Sequence, residues 1–236
     1  MLDDTDVRRA LAITAHPDDV DFGAAGTIAQ WADAGVAVTY CVITDGDAGG
    51  FDPAVPRDQI AGIRQAEQRA AAKAVGAAEV IFLGYPDGRL VVSLELRQEL
   101  ARVIREVQPQ RVICQSPERN MNRIPASHPD HLAAGEAALC AIYPDARNPF
   151  AFPELADLEP WTVKETWVTG MERVNRYIDI TETFDRKLAA LHAHVSQHPK
   201  PDELDGMVRG WNSMNARAGA LPDGHVAEAF WVFETG

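Results

Sequence analysis

Short apolar runs alternate along this chain with longer amphipathic ones. Residues 10–15, Ala10-Leu11-Ala12-Ile13-Thr14-Ala15, form a brief run without charge and predict a strand. Residues 24–34 predict a helix that stops at Gly35. Val36 to Thr44 is continuous, apolar and β-branched, the pattern of a strand buried on both faces. Gln59 to Val75 predicts a helix ended by Gly76, and Glu79 to Leu83 a third strand. Ser93 is placed to cap a helix reaching Val107, with Leu96, Leu100, Val103 and Ile104 on its inward side. Arg111 to Gln115 predicts a fourth strand, and Pro129 to Ile142 a helix with proline in its first turn. Beyond it, residues 144–160 read as a long surface loop and Pro199-Lys200-Pro201 as a turn. Thr162–Thr169, Tyr177–Ile180 and Glu228–Phe233 read as strands, and Thr183–Val195 as a helix.

Strands separated by helices of this length are βαβ units with right-handed crossovers. The expected class is therefore α/β: a mostly parallel sheet flanked by helices, with a small C-terminal extension, in one domain over residues 1–236. Such sheets bind ligands beyond the carboxyl ends of their strands. Four loops fall there. They contain Ala15-His16-Pro17-Asp18-Asp19, Asp45-Gly46-Asp47-Ala48-Gly49-Gly50, Gly84-Tyr85-Pro86-Asp87-Gly88 and His128-Pro129-Asp130-His131.

The first and last of these loops carry the chemistry. His16 and Asp19, three apart at a strand-to-helix turn, can face one point, and one histidine of the second cluster can join them. The simplest three-ligand site is His16, Asp19 and His131, a set that suits catalytic Zn²⁺ with one position left for water; Fe²⁺ can occupy the same ligands in a cell. Water on such an ion has a pKa near ~7 and serves as the nucleophile. Asp18, beside a ligand but pointing elsewhere, suits a general base. His128 suits a protonated partner that stabilises the oxyanion and delivers a proton to a leaving amine. The plain alternative for each motif is an Asx-type turn or a helix cap by Asp18 or Asp130. Two such clusters after two strands favour the metal site. His192, His194, His198 and His225 read as surface or packing residues, and Trp211 and Trp231 as packing residues or sugar platforms. The glycine-rich 45–50 loop reads equally as a sugar or phosphate cradle and as an active-site turn.

Composition narrows the partners. Lys and Arg total 22 against 35 Asp and Glu, a formal charge of -13. That surface repels nucleic acid and anionic membranes. Neither a signal-like N-terminus nor a transmembrane-length apolar run is visible, so the expected location is cytoplasmic. Cys41 and Cys114 read as core residues rather than a disulfide framework. The expected partner is a small molecule, and homo-oligomerisation stays open. Dinucleotide, P-loop and nucleophile-elbow motifs are missing, which removes the main support for nucleotide-binding and serine-hydrolase readings.

Ala15-His16-Pro17-Asp18-Asp19 with the downstream His128-Pro129-Asp130-His131 resembles the LmbE-like, or PIG-L, family of zinc-dependent N-acetylglucosaminyl deacetylases. The resemblance spans about residues 10–145. It implies a Rossmann-like fold and removal of an acetyl group from an N-acetylglucosamine-type or related amide. A mycothiol-conjugate-type amidase and a catalytically silent sugar-binding protein are the alternatives. It also implies Asp18 and His128 as catalytic groups, His16, Asp19 and His131 as zinc ligands, and Arg64 and Asp87 as substrate-binding residues. Two positions depart from the family. Val20 stands where many members carry an acid, and Ala126 where some carry a tyrosine thought to assist the oxyanion. Arg119 and, with preference, Arg123 are the nearest residues able to replace that donor and line the pocket.

Overall fold

The computed structural model describes residues 2, 4–198 and 200–236, with the side chains of Pro125 and Pro201 left aside. Seven strands form one sheet in the order β3-β2-β1-β4-β5-β7-β6. They are β1 (Arg9–Thr14), β2 (Ala37–Thr44), β3 (Glu79–Tyr85), β4 (Arg111–Gln115), β5 (Glu165–Thr169), β6 (Arg176–Asp179) and β7 (Ala227–Glu234). The first five in the sheet are mutually parallel, while β7 runs antiparallel to both β5 and β6. The expected α/β class and C-terminal sheet extension are both present.

Side-chain alternation along β1 sorts the core into two layers. Leu11 and Ile13 pack with Leu96, Leu100 and Ile104 of α3 (Leu94–Val107) and with Ala134, Ala137 and Ala138 of α4 (Pro129–Cys140). Ala10 and Ala12 pack on the opposite face with Ala24 and Ile28 of α1 (Asp19–Asp33), Ala71 and Val75 of α2 (Arg57–Val75) and Ala190 of α5 (Phe184–His192). The Oγ of Ser93 accepts from the Leu96 N–H as expected of a cap. Gly76 ends α2 with a φ of 80°, a conformation that favours glycine. Cys41 and Cys114 are buried free thiols.

Three expectations differ from the structure. Helix α1 begins at Asp19, five residues before the apolar pattern suggests, because the His-Pro-Asp-Asp turn feeds straight into it. Residues 144–160 are not a plain surface loop. The buried Arg105 guanidinium donates to the carbonyls of Asp145, Ala146, Asn148 and Leu155 and gathers the segment onto α3. Helix α6 (Pro201–Ala218) is an element the apolar pattern does not announce. Proline stands at its first turn, Asp202 and Glu203 follow, and Arg217 lies in its last turn, all favourable termini. The turn expected at Pro199-Lys200-Pro201 lies partly outside the described residues.

Where α4 meets β4 the backbones touch. A Cβ added at Gly135 would stand 2.4 Å from the Gln115 carbonyl oxygen and 2.9 Å from the Pro117 nitrogen. Gly135→Ala is expected to lose stability despite gaining about 1 kcal/mol of helix propensity, because overpacking against unyielding backbone costs about 1–3 kcal/mol. Urea unfolding should show a lower midpoint. A midpoint at or above wild type would mean that α4 can slide away from β4.

Candidate active site

Both His/Asp clusters lie at the carboxyl ends of adjacent strands, β1 and β4. Gln115, the last residue of β4, accepts from the Ala15 N–H through its Oε1 at 2.8 Å and ties the two loops together. The His16 Nδ1 then stands 3.2 Å from the His131 Nε2 and 3.3 Å from the Asp19 Oδ2. His131 Nε2 is 3.0 Å from the Asp19 Oδ1. Ligands on a tetrahedral ion at about 2.0–2.1 Å lie about 3.3 Å apart. The three donors thus form a cradle of the right size and chemistry for a small divalent cation.

The other ring nitrogens are already committed. His131 Nδ1 faces the Ala126 carbonyl at 3.4 Å. His16 Nε2 faces two carboxylates, Asp87 Oδ1 at 3.0 Å and Asp130 Oδ2 at 3.2 Å. Asp130 is itself fixed by the N–H groups of Gly88 and Leu90. Such partners set the tautomer that leaves the inward nitrogen free to ligate. Burial favours the neutral His16 ring, but Asp130, Asp19 and Asp87 overcome it and push its pKa up to about 12. Burial likewise opposes ionisation of Asp19, yet His131 and His16 hold its carboxyl well below the usual range. The cluster of carboxylates demands positive charge, which a dication supplies.

Asp18 occupies the turn between these ligands with a φ of 90°. That left-handed conformation costs less for aspartate than for most residues. Helix α2 grips it twice from positions one turn apart. Gln68 Oε1 accepts the Asp18 N–H at 2.8 Å, and the Arg64 Nη2 donates to the Asp18 Oδ2 at 3.1 Å and to the Pro17 carbonyl. Burial pushes the Asp18 carboxyl up to about 6, with Arg64 opposing the rise. Asp18, Asp19 and His131 line one wall of a cavity of about 550 Å³. Its far side is built from Arg123 and from Met207, Trp211 and Asn215 of α6.

A family model described as PIG-L, GlcNAc-PI de-N-acetylase, matches residues 11–142. The diacetylchitobiose deacetylase of Thermococcus kodakarensis is 31% identical over 196 residues, covering 83% of this chain and 72% of that protein. The chain belongs to the PIG-L family. A Bacillus cereus protein named "probable N-acetyl-alpha-D-glucosaminyl L-malate deacetylase 2" is 34% identical over 240 residues, 96% of this chain and 98% of its own. Among solved structures, the N,N'-diacetylchitobiose deacetylase of Pyrococcus horikoshii superposes with a TM-score of 0.89 at 28% identity, over 97% of this chain and 84% of that one.

Within this PIG-L fold the remaining expected residues take different places. His128 caps α4: its Nδ1 accepts the Asp130 N–H at 3.2 Å, so the neutral ring carries its proton on Nε2. Burial and the neighbouring His16 lower its pKa. Arg64 and Asp87 are not among the residues lining the cavity: the Arg64 Nη atoms donate to Asp18, Pro17 and Gly46, while its buried Nε has no partner among the described residues, and Asp87 meets His16 and the Ala48 N–H. The Arg64 guanidinium packs against the 45–50 loop and donates to the Gly46 carbonyl. A Cβ on Gly46 would lie 2.4 Å from the Arg64 Nη1. Arg119 donates to the Ser127 carbonyl, whereas Arg123 lines the cavity.

Other residues of the site escape a reading of the sequence. Asp130 orients His16, a role its place between Pro129 and His131 could have signalled. Asp21, which follows the departing Val20, points inward. Its Oδ2 accepts from the Gln68 Nε2 and pairs with the His194 Nε2, each at 2.8 Å. All three residues are fully buried. His194 reads as packing from its segment alone, and no spacing in the chain links it to Asp21.

Proposed function

We propose that this chain is a metal-dependent N-deacetylase that hydrolyses the acetamide of an N-acetylglucosamine-type substrate. The observation that carries the reading is Asp18, an ionisable carboxyl held in a left-handed turn between the donor cradle and Arg64, facing the same cavity as Asp19 and His131. Pure binding needs no such base. His16, Asp19 and His131 are the ligands of the ion, with Zn²⁺ favoured by the two imidazoles and Fe²⁺ as the alternative. Bound Zn²⁺ would polarise the amide carbonyl and acidify a water.

The chain's own groups do the rest. Asp18 takes a proton from the attacking water and passes it to the nitrogen as the C–N bond breaks, giving acetate and an amine. Its pKa near 6 suits both transfers at neutral pH. His128 offers its Nε2–H to the developing oxyanion as a neutral hydrogen-bond donor. Arg64, Gln68, Asp21 and His194 hold Asp18, and Asp87 and Asp130 hold His16. This reading places Arg64 and Asp87 as positioning groups rather than as direct sugar contacts. All of these groups belong to one catalytic domain spanning the chain.

Purified protein loaded with Zn²⁺ or Fe²⁺ should release amine from at least one N-acetylated amino sugar or glycoside, and chelation should stop it. Acyl groups other than acetyl on the same sugars would extend the reading to related amides. Turnover of none of these amides, or equal turnover after chelation, would reject it. Among the described residues no helix is long and apolar enough to cross a membrane.

A further inference from the structure

The cavity has an unmatched charge. Its wall contains three carboxylates, and each has a partner. Asp18 meets Arg64 at 3.1 Å, Asp19 meets His131 at 3.0 Å, and Glu228 meets the buried Lys187 at 2.6 Å. Arg123 is the single arginine or lysine lining the cavity. Its guanidinium lies over the indole of Trp211, 4.1 Å from the ring centroid. Among the described residues it has no carboxylate within ion-pair distance. Neighbouring side chains displace part of its water and draw its pKa down, with no acid to offset the loss. Arg57, Arg97, Arg111, Arg173 and Arg186, by contrast, each meet a carboxylate within 4 Å.

The indole fixes one face of the guanidinium and leaves its N–H edge for hydrogen bonding. The Asn120 Oδ1 accepts from the Arg123 backbone N–H, and among the described residues the guanidinium makes no hydrogen bond within its own loop. Trp211, already stacked, is a support for the cation rather than a bare platform for sugar. Amino-sugar chemistry says what reaches it. The acetamido carbon of N-acetylglucosamine neighbours the anomeric carbon. With the amide at Asp18 and His131, a group on the anomeric oxygen therefore lies within one ring of the reacting carbonyl, inside the same cavity.

We propose that Arg123, backed by Trp211, forms a subsite for an anionic group, a carboxylate or a phosphate, attached to the anomeric oxygen of the amino sugar. This deepens the deacetylase reading and rests on it. In a chain of charge -13 a local cation is also what admits an acidic substrate against the general repulsion.

The test uses selectivity ratios, which cancel any difference in the fraction of folded enzyme. The metal-loaded protein is assayed on N-acetylglucosaminyl L-malate against its dimethyl ester, and on N-acetylglucosamine 1-phosphate against the methyl glycoside. The kcat/KM ratio should favour at least one anion by roughly 10–100-fold, the value of a charge-assisted hydrogen bond. Arg123→Gln should bring that ratio towards one, Arg123→Lys should keep part of it, and Trp211→Leu should weaken it. Which pair shows the preference separates carboxylate from phosphate. No preference in either pair overturns the subsite and leaves the deacetylase standing. An Arg123→Gln variant that slows charged and neutral substrates alike also overturns it, since that pattern belongs to an oxyanion donor. Hydrolysis of none of the four overturns both readings.

Discussion

Asp18→Asn is expected to lower kcat by about 10²–10⁴-fold, the range for losing a general base, with the metal content unchanged. Asparagine keeps the shape of the side chain and tolerates the left-handed backbone at residue 18. The Gln68 bond to the backbone N–H is retained, and the amide oxygen still accepts from Arg64. Only the proton acceptor is lost. The pH dependence has a defined sign. Burial pushes the carboxyl up to about 6, and the base works deprotonated, so kcat/KM should fall as pH drops through that value. A dication in the neighbouring cradle draws the limb to 6 or below. Arg64→Met removes the opposing charge and should move the limb up. Elemental analysis and pH–rate profiles of the three proteins check this. An Asp18→Asn protein that keeps a tenth of wild-type kcat would remove Asp18 from the proton transfer.

The parts of this site that can be read in the chain are those made by local geometry. Spacing alone puts His16 and Asp19 on one turn, and His131 joins them because its loop follows β4, the strand paired with β1. The strands are legible for a related reason: β1 and β4 have short apolar centres bounded by polar residues, and the bounds of β4 match the expected ones. The supports of Asp18 are not legible. His194 stands 173 residues from Asp21, and only the packing of α5 on α1 and α2 joins them. The family resemblance implies that Arg64 and Asp87 touch substrate. In the structure their side chains meet Asp18 and His16, contacts set by side-chain direction and not by sequence position. Helix α6 is hidden because Gly206 and Gly210 interrupt its apolar positions and its start falls within Pro199-Lys200-Pro201. Leu204 and Val208 bury themselves against Ile180, Phe184 and Val226, so tertiary packing holds a helix that propensity alone leaves weak.

Removing an inner ligand should have an equally large effect by another route. His16→Ala and His131→Ala are each expected to abolish stoichiometric metal and with it measurable turnover. Each leaves two donors where catalytic zinc sites use three. Asp130→Asn is a milder case. The His16 Nε2 loses one of its two carboxylates, and of the N–H groups of Gly88 and Leu90, which donate to different oxygens, one keeps its acceptor. Changes to such outer partners weaken metal affinity or activity by about 10–100-fold. The metal should also hold the fold, because the cradle joins the loops after β1 and β4 and does not exist in the unfolded chain. Binding only the folded state adds about 4 kcal/mol at a free metal concentration about 1,000 times Kd. Chelation should therefore lower the melting temperature of wild type and leave that of His131→Ala unmoved. His16→Ala and His131→Ala proteins with full metal, together with a wild-type melting curve indifferent to chelator, would place the ion elsewhere.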